Sequence, residues 1–246
     1  MRKTILVSLI IATVSILSFI PTAHGQSRDE LLAQIENKRA ELKKLEAQFL
    51  SPSDEDREAF AEFLKQPNTG LVRVLPRESF DETPNKPGKL SLRGGGAYYS
   101  FVRLTHEYGY GSDIELSRGE LSVGFAGADY GAIAMIGEMP LEEVTEQHPL
   151  ATFLVSYQPP TEEAAARLEG RSFGSGGKTI DGLTYRRRLP AQVNGTYLLR
   201  SISYGDSDVL VALRVVRKDN DGSVIIAWKL LKKFPKPELT RSTASR

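Results

Sequence analysis

Two hydrophobic periods divide this chain. From Ser27 to Phe49 the apolar positions Leu31, Ile35, Leu42, Leu45 and Phe49 advance by threes and fours once Lys38 is counted as a polar interruption, with Lys and Glu filling the remaining faces. That spacing predicts a helix over 28–49, a rod about 33 Å long at about 1.5 Å per residue. Ser27 followed by Glu30 supplies a capping box. The apolar seam is thin, so the helix either folds back on its own domain or pairs with a second copy. Ser51-Pro52-Ser53 breaks it, and Ser53 with Asp56 starts a second helix over 54–65, striped by Ala59, Phe60, Phe63 and Leu64. Pro67-Asn68-Thr69-Gly70 ends that helix, Leu71 to Leu75 reads as a short strand, and Thr83-Pro84-Asn85-Lys86-Pro87-Gly88 reads as a linker.

From Ala97 the period becomes two. Strands are expected at 97–105, 113–118, 121–126, 131–137, 150–156, 179–188, 196–204, 208–217 and 223–231, each rich in Val, Ile, Leu, Tyr or Phe and bounded by turn residues. Gly205-Asp206-Ser207 and Asp219-Asn220-Asp221-Gly222 are tight links between the last three runs, which predicts an antiparallel meander over 196–231. One helix interrupts the series, with Pro160 at its start, Glu162 and Glu163 in its first turn and Gly170 as its stop; 140–147 suggests another turn of helix. The fold class is therefore α+β: an N-terminal helical arm, then a mainly antiparallel β-domain, sandwich-like or strongly curved, with one or two short helices.

The N-terminus changes the setting. Arg2 and Lys3 precede an uncharged apolar run from Ile5 to Ile20, and Ala23 and Gly25 provide small residues before Gln26. Residues 1–25 read as a signal peptide cut between Gly25 and Gln26, which sends the protein to the periplasm or the medium. Removing Arg2 and Lys3 takes Lys plus Arg from 32 to 30 against 31 acids, a formal charge of −1. No field for nucleic acid follows, and no membrane span is expected after cleavage. The chain has no cysteine, so packing and not disulfides must hold it. The organisation expected is thus leader 1–25, helical arm 26–66, loop and linker with a short strand 67–96, β-domain 97–234 and a flexible tail 235–246.

Candidate chemistry is sparse. Gly174-Ser175-Gly176-Gly177-Lys178-Thr179 lacks the first glycine and the strand-then-helix setting of a phosphate loop. Asp219-Asn220-Asp221-Gly222 has the wrong register for a calcium loop, since Arg217 and Trp228 would stand at the first and last ligand positions. His106-Glu107 begins like a zinc-protease pair, but Tyr110 stands where the second histidine is needed. No metal or cofactor is expected. His106, Glu107 and Asp113 are the candidates for assisting a hydrolysis, with spatial separation left open.

Composition points elsewhere. Tyr98, Tyr108, Tyr110 and Tyr130 crowd with glycines between Gly94 and Gly137, offering flat faces with polar tips to a sugar, a peptide or a partner protein; packing in the sheet is the competing explanation. Arg186 and Arg188 share one strand face, suited to an anion or to guarding a strand edge. The expected function is a non-catalytic binding or interaction module of the cell envelope or extracellular space, with a protein or glycan partner. The alternatives are an exported hydrolase acting on a glycan or peptide polymer, and a structural protein that self-associates through 28–49.

Overall fold

The computed structural model describes residues 27–80, 95–106, 111–125, 127–174 and 176–240. The leader with Gly25 and Gln26, residues 81–94 of the linker region, Glu107, Tyr108 and Tyr110, and residues 241–246 of the tail lie outside the described residues. The chain divides into a first unit up to Leu42 and a second from Lys43 onward. Helix α1 (Arg28–Phe49) has the predicted cap, Ser27 and Glu30 exchanging hydrogen bonds of 2.9 and 3.2 Å, and contains no buried residue. Among the described residues no helix is long and apolar enough to cross a membrane.

The second unit is α+β and mostly antiparallel. Ser53 caps α2 (Asp54–Ala59) with a reciprocal bond to Asp56, and α3 (Ala61–Leu64) follows after a break at Phe60, where a single helix over 54–65 was expected. The break leaves Phe60 and Phe63 edge-on, with Phe63 in the core. Strand β1 (Thr69–Val74) runs antiparallel to β11 (Val224–Lys233), so the short strand of the expected linker is the edge of the main sheet. Gly70 lies opposite Trp228, whose ring covers it; a Cβ there would stand 2.3 Å from the indole. With β5 (Tyr130–Gly137), β9 (Thr196–Ser203) and β10 (Ser207–Lys218), the sheet reads β1-β11-β10-β9-β5. Its β9-β10-β11 portion is the predicted meander.

A second sheet has the order β2 (Tyr98–Tyr99), β3 (Ile114–Ser117), β4 (Glu120–Ser122), β8 (Arg188–Pro190). One core lies between the sheets, where Leu116 and Leu121 meet Tyr197, Leu199, Val211, Leu213 and Ile226. On the other face of the five-stranded sheet, Leu198, Ile202 and Leu210 pack against Phe63, Leu154, Ala166 and Phe173. Both faces of β9 are therefore buried, and its apolar Tyr197, Leu198, Leu199 and Ile202 are joined by buried Thr196, Ser201 and Ser203 and one charge, Arg200.

Three expected strands differ. Residues 150–156 form a 3-10 turn (Pro149–Ala151) and helix α5 (Thr152–Ser156), because Pro149 opens the turn, His148 Nδ1 accepts the Leu150 N–H, and Arg200 donates to the Leu154 and Tyr157 carbonyls at the helix end. Only Tyr98–Tyr99 of 97–105 is strand. There the Asp113 carboxylate accepts the Phe101 N–H (2.7 Å), and the chain doubles back so that Ser100 bridges Thr105. The run 179–188 is cut by Asp181 and Gly182, both at positive φ, into a hairpin of β6 (Lys178–Ile180) and β7 (Leu183–Tyr185). Helix α6 (Glu163–Ser172) begins after Pro160 and passes through Gly170, where α6 lies so close to Tyr130 that a Cβ would stand 2.9 Å from that side chain.

Candidate functional site

The outer face of the second sheet carries a cavity of about 480 Å³. Its wall is the octet Glu115-Leu116-Ser117-Arg118-Gly119-Glu120-Leu121-Ser122 folded on itself. Arg118 (φ 53°) and Gly119 (φ 73°) form a two-residue turn of the kind that closes tight hairpins, and Glu115, Leu116 and Ser117 pair with Ser122, Leu121 and Glu120. Alternation sends both leucines into the core and the Glu and Ser side chains to the cavity. Arg188, paired with Ser122 across β4 and β8, adds a guanidinium, and helix α4 (Arg77–Phe80) contributes Arg77 and Glu78.

These groups are held by one another. Glu115, nearly buried, accepts from Arg77 Nη1 (2.9 Å) and the Tyr98 hydroxyl (3.0 Å) on one oxygen, and from the Ser122 hydroxyl (3.0 Å) on the other. Glu78 accepts from the Ser117 hydroxyl (2.5 Å) and the Arg118 N–H (2.9 Å). Partial burial opposes ionisation there, but those two hydrogen bonds, with its own backbone amide and the Arg118 charge, together outweigh it and hold the Glu78 carboxyl below its ordinary pKa. Arg188 and Glu120 stand 3.9 Å apart at the rim. Three guanidiniums face three carboxylates, so the wall is polar and close to neutral.

No family model, curated protein or solved structure matches the chain. The reading of this site rests on its geometry.

Of the residues singled out from sequence, Arg188 lines this cavity and Tyr98 lies beneath it, 3 % exposed, its hydroxyl on Glu115 and its ring edge-on to Phe125. Tyr130 is buried elsewhere, stacked on Phe173 and sharing a hydroxyl hydrogen bond with Tyr157 (2.7 Å). Arg186 lines neither this cavity nor the smaller one beside α6.

His106 and Asp113 are not hydrogen-bonded to each other. They flank Tyr99: the His106 ring lies 5.1 Å from the tyrosine ring and its Nε2 bonds the Arg73 carbonyl (2.8 Å). Because a carbonyl only accepts, Nε2 carries the proton, and burial pushes the imidazole pKa down, so His106 is neutral. Asp113 is fully buried with Oδ2 committed to the Phe101 N–H. Burial pushes its pKa up to about 6, against the pull of Ser201, the Phe101 amide and Ser100.

Sequence reasoning missed Arg77, Glu78, Ser117, Arg118, Glu120 and Ser122. The signal was present in the repeated Glu-Leu-Ser flanking Arg118-Gly119. Its alternation places a polar, hydrogen-bonding residue at every outward position of the hairpin, a pattern that no spaced catalytic motif resembles.

Proposed function

We propose that this protein is an exported, non-catalytic binding module whose cavity on the second sheet takes a hydroxyl-rich, uncharged ligand of the glycan class. The carrying observation is the set of mutually fixed Arg, Glu and Ser groups around one polar cavity with balanced charge. Sugar hydroxyls both donate and accept, so neighbouring guanidiniums, carboxylates and serine hydroxyls satisfy them in pairs, while a neutral wall gives no advantage to a charged ligand. Export rests on the leader at 1–25.

Hydrolysis is the weaker reading. A general acid must hold a proton near neutral pH, which requires a raised pKa. Glu78 is shifted the other way; of the two carboxyls that burial raises, Asp113 is sealed in the core and Asp129 lies outside this cavity. A second reading has its own support: α1 exposes Leu31, Leu32, Ile35, Leu42, Leu45 and Phe49, an apolar seam suited to pairing with another copy.

The test is an oligosaccharide array probed with the mature chain, then titration of the strongest binder against Arg188→Ala and Glu120→Gln. Affinity should fall about tenfold or more in each, and the oligosaccharide should be recovered intact. Cleaved sugar would favour the hydrolase; unchanged affinity in both variants would remove this cavity from consideration.

A further inference from the structure

The run Arg186-Arg187-Arg188 is split by the fold. Arg188 faces the cavity described above, whereas Arg187 lines a second cavity of about 170 Å³, formed with Gly127 and Asp129 and with Arg167, Gly170 and Arg171 of α6. At about 30 Å³ per water that is room for five or six waters, the scale of one hydrated ionic group and not of an extended ligand. Gly170 makes the geometry: its missing side chain lets α6 close on Tyr130.

The charges around this cavity do not cancel. Arg167 and Arg171 stand one helical turn apart, on one face of α6. Arg167 is neutralised by Glu163, bonded through Nε (2.8 Å) and Nη2 (2.6 Å), and is tied to the Gly127 carbonyl by Nη1 (3.1 Å). Arg187 is fixed by neutral groups, donating Nε to the Val123 carbonyl (3.3 Å) and Nη2 to the Gly124 carbonyl (2.5 Å). Among the described residues the Arg171 guanidinium has no hydrogen bond or ion pair, and none links Arg187 to a carboxylate. The one acid in the lining, Asp129, spends Oδ1 on the Tyr204 N–H (2.9 Å), and burial shifts its carboxyl toward the protonated form. Two guanidiniums, neither of them ion-paired, therefore face one small cavity that holds a single carboxyl, and the lining keeps a net positive charge with Arg187 locked in place by main-chain carbonyls.

We propose that this cavity binds a compact oxyanion, a sulfate, phosphate or carboxylate group, through Arg171 and Arg187. Planar guanidinium donors match two oxygens of such a group, and prior fixation of Arg187 lowers the entropy lost on binding. The oxyanion is either a free inorganic ion or a substituent on a larger ligand. This site is independent of the glycan reading: neither its residues nor its test involve Arg188 or Glu120.

The test titrates the isotope-labelled mature chain with sodium phosphate, sodium sulfate and sodium acetate at ionic strength held constant with sodium chloride, following the amides of Gly127, Ala166 and Gly170. Saturable shifts at these amides are expected. Arg171→Gln, an exposed helix position, should weaken binding about tenfold, the scale of one charge-assisted hydrogen bond, while Arg186→Gln changes nothing. A second arm repeats the titration with sulfated and uronic oligosaccharides. Saturation by the inorganic ions identifies the free ion, and saturation by the oligosaccharides alone identifies the substituent. Shifts that never saturate in either arm, or that saturate equally in Arg171→Gln, would overturn the proposal.

Discussion

The two large sheets share one core and use their residues differently. In the five-stranded sheet the strands run from six residues in β1 to twelve in β10, and all of β9 is buried because helices cover the face that the second sheet does not. Its strand β9 has no exposed side chain. In the four-stranded sheet the strands are two to four residues long, and the β3–β4 hairpin buries its leucines while its Glu and Ser residues line a cavity. A sheet covered on both faces turns most of its side chains to packing; one covered on a single face leaves every second residue pointing outward.

The arginines sharpen that contrast. Arg200, on β9, is 2 % exposed and spends itself internally: Nε and Nη2 donate to the two oxygens of Asp208 (2.8 and 2.7 Å), Nη1 to the Leu154 and Tyr157 carbonyls, and the guanidinium lies 3.6 Å over the Phe234 ring. Arg200→Met leaves Asp208 charged in the core and the end of α5 uncapped. Urea unfolding should report a loss of about 3–5 kcal/mol, the largest effect expected of any single change here. Arg200→Met combined with Asp208→Leu removes both charges and should regain a good part of it. If the double variant is as unstable as the single one, the carbonyl contacts to α5 and not the ion pair hold this region.

Asp113 is the point where the second sheet resembles the first, a carboxyl sealed between the layers just before β3. Its folded pKa of about 6 lies above the ordinary 3.8, so between those values the folded chain holds a proton that the unfolded chain has released. Stability then falls as pH rises through about 4 to 6 and is lower by up to about 3 kcal/mol above that window. Asp113→Asn stays neutral and keeps an acceptor for the Phe101 amide. Its stability relative to wild type should therefore improve by that order between pH 4 and pH 7. Parallel stability curves would mean that Asp113 is as readily ionised in the fold as out of it.

What could be read from sequence follows the same division. The long runs of β9, β10 and β11 announce themselves by length, alternation and turn residues, and both helix caps at Ser27 and Ser53 are local chemistry. The misread segments are those decided by distant groups: Pro149 starts α5, but Arg200 from the middle of β9 completes it; Asp113 turns the chain at Phe101; Gly170 sits inside α6 where the helix closes on Tyr130. The cavity was hidden for a related reason. Glu115 and Arg188 lie far apart in sequence, and what brings them together is the pairing of β3, β4 and β8, which no local pattern states.

The smallest change in stability is expected where the effect on binding is largest. Arg188 is well exposed, and its ion pair to Glu120 is 3.9 Å long, so exposure and screening leave that pair worth little. Arg188→Ala should shift the urea midpoint by no more than about 0.5 kcal/mol in free-energy terms, within the range of ordinary surface substitutions, while the oligosaccharide titration loses about tenfold or more in affinity. Arg200→Met should behave in the opposite way, weakening the fold but preserving affinity at temperatures where it remains native. If Arg188→Ala unfolds the chain as readily as Arg200→Met does, the second sheet is scaffold like the first. The polar wall of its cavity would then be a structural device and not a surface for ligand.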